Sequence, residues 1–184
     1  MARGNPNAIA LGPGKLYIAP LGTTEPTDLT TPWETVSAAW AALGYTNEGS
    51  SFSYSVDSEN VEVAEELDPV AVALTSREGT VAFALAEMTA KNLQRALNGG
   101  SIVSGTGIVT FEPPDLGEEV RVMLGFESED GEERWVYRKA LQTGSLEINR
   151  RKGAEKATIP CEFKLEKPSA AKLFKVLFDN ARAA

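Results

Sequence analysis

The chain has 184 residues, no histidine and a single cysteine, Cys161. Without imidazole it can build no Ser-His-Asp or Cys-His nucleophile, no HExxH metal site and no charge switch near neutral pH. One cysteine forms no internal disulfide and no thiolate zinc centre. Long apolar runs are also missing. The stretch at residues 38–43 falls far short of the ~20 residues that a membrane span needs. The Met-Ala-Arg-Gly-Asn-Pro start carries no signal-like hydrophobic segment, so cytoplasmic synthesis is expected. Positive charge is scarce, with 18 Lys+Arg against 26 Asp+Glu and a net charge of −8. Such a balance argues against gripping duplex DNA through phosphate neutralisation. What remains is the composition of a globular domain, 42% hydrophobic and 24% charged.

The charge is unevenly distributed. Residues 1–137 carry 7 basic and 21 acidic side chains and residues 138–184 carry 11 and 5, so −8 resolves into −14 and +6. Folding can mix the halves on neighbouring strands, or the halves can form opposite faces of a self-associating subunit.

Period-two alternation dominates, the mark of half-buried strands. Leu16 and Ile18 oppose Tyr17. Phe52, Tyr54 and Val56 alternate with Ser53, Ser55 and Asp57. Val81, Phe83 and Leu85 share a face, as do Val120, Val122, Leu124 and Phe126. Trp135 and Tyr137 follow a Glu-Asp-Gly turn. Leu146 and Ile148 alternate with Glu147 and Asn149, and Ile159, Cys161, Phe163 and Leu165 alternate with Glu162 and Lys164. The expected fold is mainly β, an antiparallel sandwich or barrel. One flanking helix is expected over about residues 89–98, with Thr89 as N-cap and Gly99 as terminator. A second helical segment is expected over about 169–181, from the spacing of Ala170, Leu173, Phe174, Leu177 and Phe178. Residues 1–13 read as an arm and 14–184 as one domain. The Pro- and Thr-rich loop at 22–37 reads as functional or partner-ordered.

No motif survives as catalytic. Gly12-Pro13-Gly14-Lys15 lacks the first glycine and the Ser/Thr of a phosphate loop. Glu59, Glu62, Glu65, Glu66 and Asp68 lack calcium-loop spacing and read as a solvated acidic hairpin. Arg150-Arg151-Lys152-Gly153 reads as a charged hairpin tip, and Cys161 as a small buried hydrophobe. No metal, cofactor or catalytic residue is expected.

The order of the pieces carries a resemblance. A Gly/Pro arm leads into Gly14-Lys15-Leu16-Tyr17-Ile18-Ala19-Pro20-Leu21-Gly22-Thr23, then a Trp-containing segment runs to Leu43-Gly44-Tyr45-Thr46-Asn47-Glu48-Gly49. An acidic stretch follows, then residues 80–88 and the helix. This resembles the major tail protein, or tail tube protein, of long-tailed bacteriophages (siphophages), notably those of actinobacteria. The resemblance implies a structural virion subunit, made in the host cytoplasm, whose hexameric rings stack into a tube for genome ejection. It implies self-association, with tape measure, tail terminator and distal tail proteins as further partners. DNA would pass through the lumen without specific binding. By position, the inter-ring loop would be about residues 59–78, carrying Glu59, Glu62, Glu65, Glu66, Asp68 and Arg77. Ser53, Ser55, Asp57, Glu147, Asn149, Glu162 and Lys164, on polar strand faces, are the lumen-facing candidates. Two other readings compete: a monomeric β-barrel binding module for a small ligand or host glycan, motivated by loop 22–37, and a hydrolase using the acidic segment's carboxylates.

Overall fold

The computed structural model describes residue 9, residues 12–150, residue 152 and residues 155–180. Most of the expected arm, and Arg151, lie outside the described residues. Ten strands and two short helices follow in order. They are β1 (Lys15–Pro20), α1 (Trp33–Val36), β2 (Ala41–Ala42), β3 (Thr46–Val61), β4 (Ala71–Leu85), α2 (Ala90–Ala96), β5 (Ser101–Ser104), β6 (Val109–Glu112), β7 (Val122–Glu127), β8 (Glu133–Gln142), β9 (Ile159–Leu165) and β10 (Phe174–Phe178). Eight strands form one antiparallel sheet in the order β2-β1-β7-β8-β9-β4-β3, with β10 also on β8. β5 and β6 form a separate hairpin.

The sheet curls because its alternating stripes must close on one another. Leu16 and Ile18 of β1, Leu124 of β7, Tyr137 and Ala140 of β8, and the apolar faces of β4 and β9 share one core. Phe52 of β3 reaches across it to Trp135 and Tyr137 of β8, both rings at 5.3 Å, although β3 and β8 are not hydrogen-bonded neighbours. Cys161 is buried in this core, and burial pushes its thiol up to about 12. Iodoacetamide at pH 8 should therefore leave native Cys161 unmodified and label it fully in denaturant, read by mass spectrometry; native labelling would place it elsewhere.

α2 begins where expected: Asn92 N–H donates to Thr89 Oγ1 at 3.1 Å. Past its end Asn98 adopts a left-handed conformation, φ 58°. Its amide then donates to Gln142 O at 2.6 Å and accepts from Gln142 N at 2.9 Å, latching the helix to β8.

Two expectations are corrected. The C-terminal segment is no helix. Residues 174–178 form β10, antiparallel to Glu133–Tyr137. β9 pairs only with residues 140–142 of β8, so the rest of that edge is open for β10. Phe174 then stacks among Phe52, Trp135 and Tyr54 at 5.2, 5.6 and 5.9 Å. Tertiary pairing overrides the local helical spacing. The strand expected around Leu146 and Ile148 does not form, because Thr143 and Gly144 N–H both donate to Glu162 O and end the ladder. Glu147 and Asn149 therefore sit on an irregular segment.

Loop 22–37 is ordered by its own subunit. It straps the outer face of β1, β7 and β8, where Trp33 joins Tyr17, Trp40, Met123 and Val136 in a second core. Glu25 takes a bidentate ion pair from Arg138 at 2.5 and 3.0 Å. Lys175 Nζ donates to Pro26 O at 3.0 Å, and Trp40 Nε1 to Thr24 O at 2.9 Å. The binding-module reading loses the free loop that motivated it. The charge halves mix as well. Arg138 pairs with Glu25, and Lys164 with Glu78, so C-terminal cations serve N-terminal acids.

Candidate assembly surfaces

β3 and β4 form a hairpin that leaves the core behind. Both strands pack at their base, where Phe52 faces Val81. From Ser53 outward β3 is exposed to its end, and β4 is exposed from Ala71 to Glu78. Nine residues of β3, 53–61, lie in this arm, a reach of ~30 Å at strand rise. A bulge between Asp57 and Ser58 shifts the register by one residue, which raises the local twist. The expected 59–78 loop is thus mostly strand. Glu59 lies on β3, opposite Ala73, and Arg77 on β4, opposite Val56. Glu62, Glu65, Glu66 and Asp68 occupy the turn at the tip, all exposed. No cavity among those described encloses these carboxylates, and no cluster of acidic, Cys or His side chains among the described residues is arranged to hold a metal.

The sequence reading places Tyr54 and Val56 on a strand but misses Val72 and Leu74 on the strand paired with it. Tyr54, Val56, Val72 and Leu74 are exposed along the arm, and Leu67 at the tip is completely so. The signal was available in Val70-Ala71-Val72-Ala73-Leu74, a short alternation beyond the Asp68-Pro69 turn.

The outward face of β3, β4 and β9 is polar. Register sets Ser53 beside Thr80 and Thr80 beside Lys164, Ser51 beside Ala82 and Ala82 beside Glu162, Ser55 beside Glu78, and Asp57 beside Ser76. Ser53, Ser55, Asp57, Glu162 and Lys164 therefore share one face. Glu147 joins them without a strand, because the irregular segment after β8 brings it to a shallow concavity also lined by Ser51, Ala82 and Glu162. Asn149 lies next to it, donating to Glu147 Oε1 at 3.1 Å. Lys164 Nζ is 2.6 Å from Glu78, both half-exposed, which raises the lysine's pKa through that hydrogen bond. Ser76 Oγ donates to Asp57 Oδ2 at 2.5 Å. With Lys164 and Glu78 paired, Asp57, Glu147 and Glu162, and Glu48 in the same concavity, leave this face with negative charge.

Among the described residues β3 pairs only with β4; near its base Gly49 is buried beside Pro13, and from Ser53 to Val61 the strand is exposed with its other edge unpaired. A long unpaired edge invites a strand from another chain.

The strap contains a polar anchor of its own. Asp28 accepts from Thr30 and Thr31 N–H at 2.8 and 2.6 Å, which presents Asp28 O and Thr31 O to Arg134 Nη1 at 3.1 and 2.7 Å. The Thr31 backbone bond, with the others, lowers Asp28 to about 2 from 3.8. A depressed folded pKa stabilises fully above the unfolded value and is lost as pH falls through about 2. NMR titration should place the Asp28 midpoint near 2; a midpoint near 3.8 would show the turn is not populated.

An extended exposed arm and an unpaired strand edge are features of a subunit that assembles with other chains. A family profile described as Phage tail tube protein matches residues 1–184. The chain belongs to the phage tail tube protein family, and is thus a structural, non-enzymatic component of the virion tail. No curated protein matches it at a significant level. Among the described residues no helix is long and apolar enough to cross a membrane.

Proposed function

We propose that the chain is the repeating subunit of a siphophage tail tube, forming hexameric rings that stack into the conduit for genome ejection. The open edge of β3 carries this reading. Its unpaired backbone groups can accept a strand of the neighbouring subunit, so that the β3–β4–β9 sheets continue around the ring. The polar outward face would then line the lumen, with Ser53, Ser55, Asp57, Glu147, Asn149 and Glu162 towards DNA. Lys164 would stand there neutralised by Glu78. A hydroxyl-rich wall with residual negative charge repels phosphate and lets the duplex slide. The β3–β4 arm would join successive rings through the tip carboxylates and the strand residues Glu59 and Arg77. Within such a tail the chain's further neighbours would be the tape measure protein in the lumen and the terminator and distal tail proteins at the ends.

Concentrated purified protein should form rings or hollow tubes of phage-tail width under the electron microscope. A strictly monomeric species, together with tail particles that lack the protein, would sink the reading.

A further inference from the structure

The arm's tip and a groove on the same chain lie at opposite ends of the sheet. Antiparallel pairing matches the strand ends: Pro20 faces Val122, Val122 faces Ala140, and Leu85 faces Ile159. Ala140 in turn faces Leu165, and Lys164 faces Thr80, so the C-terminal end of β1 is level with the start of the core-packed part of β4, which runs on from there to Leu85 and into α2. The turn joining Val61 to Ala71 lies at the other end of β4. The exposed part of β4, residues 71–78, sets the turn ~25 Å from the level of Pro20 and Val122 at strand rise, and further from α2.

The groove, of about 370 Å³, is lined by apolar groups of Pro20, Ala39, Ala41 and Val122 and by Lys91 and Arg95 of α2, with no carboxylate among its lining residues. Arg95 is half-buried, and its hydrogen bond goes to Asn92 Oδ1 at 2.9 Å, a neutral acceptor. Burial disfavours its charge, which Glu87 only partly offsets. Lys91 is exposed and has no carboxylate partner among the described residues. The tip is the complement in both respects. Leu67, fully exposed, stands among Glu62, Glu65, Glu66 and Asp68.

We propose that the hairpin tip of one copy seats in this groove on the next copy, with Leu67 against the apolar lining and the tip carboxylates facing Lys91 and Arg95. The proposal rests on the reading that the arm joins successive rings, and it names the surface the arm reaches. Tip and groove differ and point in opposite directions, so the contact is heterologous. Repeated, it propagates along one axis without closing on itself. Tip against tip or groove against groove would bring like charges together, so the contact also fixes the polarity of the stack.

Cys161 is buried, so engineered cysteines in the full chain can be read cleanly. Leu67→Cys with Ala39→Cys, oxidised after assembly, should give a ladder of disulfide-linked oligomers on a non-reducing gel. Asp68→Cys with Ala41→Cys serves if Leu67 proves essential for assembly. Tubes that form without a ladder from either pair overturn the proposal. Lys91→Glu, at an exposed position, should raise the protein concentration needed for tubes at least ~tenfold, equivalent to ~1.4 kcal/mol. Glu65→Lys with Glu66→Lys should do the same. If this tip variant assembles like the parent, the joining role of the arm itself fails. If it is blocked while Lys91→Glu is not and no ladder appears, the arm joins rings through another surface.

Discussion

Replacing residues 58–75 with Asn-Gly should leave a folded protein that forms no tubes. Every residue removed is exposed, and none belongs to either core. The cut falls at a natural closure, since Asp57 and Ser76 are register partners joined by a side-chain hydrogen bond. A two-residue Asn-Gly loop suits such a pair, because both positions of a type I′ turn take positive φ. The ladder lost above Asp57 is solvated on both faces, and the shorter loop has a smaller closure cost. The melting temperature should therefore stay within ~4 °C of the parent, about 1 kcal/mol for a domain of this size. Electron microscopy should then show single rings or monomers where the parent forms tubes. Tubes of ordinary length would remove the arm from stacking. Loss of soluble protein would show that the arm supports the core.

The contrast between β9 and the arm shows where the sequence is legible. Ile159, Cys161, Phe163 and Leu165 alternate without a break because one face of β9 meets the core and the other meets solvent or a neighbour. That places Glu162 and Lys164 on the outer face, and the same rule places Ser53, Ser55 and Asp57. Past Asp57 neither face meets the core of this subunit, so burial no longer selects an alternating pattern. The bulge and the alanines at 71 and 73 blur what remains, and strand reads as loop. β10 fails for another reason. Leu173-Phe174 and Leu177-Phe178 fit a helical stripe, yet the deciding influence is the open edge of β8, some 40 residues earlier in the chain. The tip-accepting groove is less legible still, since it is built from β1, the segment around residues 39–41, α2 and β7. The mixing of the charge halves has the same origin. Arg138 and Glu25 are 113 residues apart in sequence and 2.5 Å apart in space.

Trp33→Ala should be the most destabilising single substitution in the strap, at about 5 kcal/mol. The ring is 1% exposed. It stacks on Tyr17 at 4.7 Å and meets Trp40 edge-on at 4.7 Å. The Arg134 guanidinium lies 5.6 Å from its centroid. Truncating a buried Trp costs about 3–5 kcal/mol through lost transfer energy and the cavity left behind. Two further losses place the value at the upper end. Trp33 Nε1 donates to Glu127 Oε2 at 2.8 Å, the same oxygen that accepts from Arg134 at 2.7 Å. Removing the indole exposes one side of that nearly buried pair and takes away its cation–π contact. At about 2–4 °C per kcal/mol the melting temperature should fall by ~10–20 °C, with denaturant titration giving the matching free energy. Gly125 supplies the control. A β-carbon there would lie 2.5 Å from the Trp33 ring, so Gly125→Ala should cost about 1–3 kcal/mol by overpacking. In the Trp33→Ala background the added methyl enters the vacated space, and the two costs should fall short of additive. A Trp33→Ala cost below ~1 kcal/mol would mean that Tyr17 and Trp40 close over the gap, and that Arg134, Arg138 and Lys175 hold the strap by themselves.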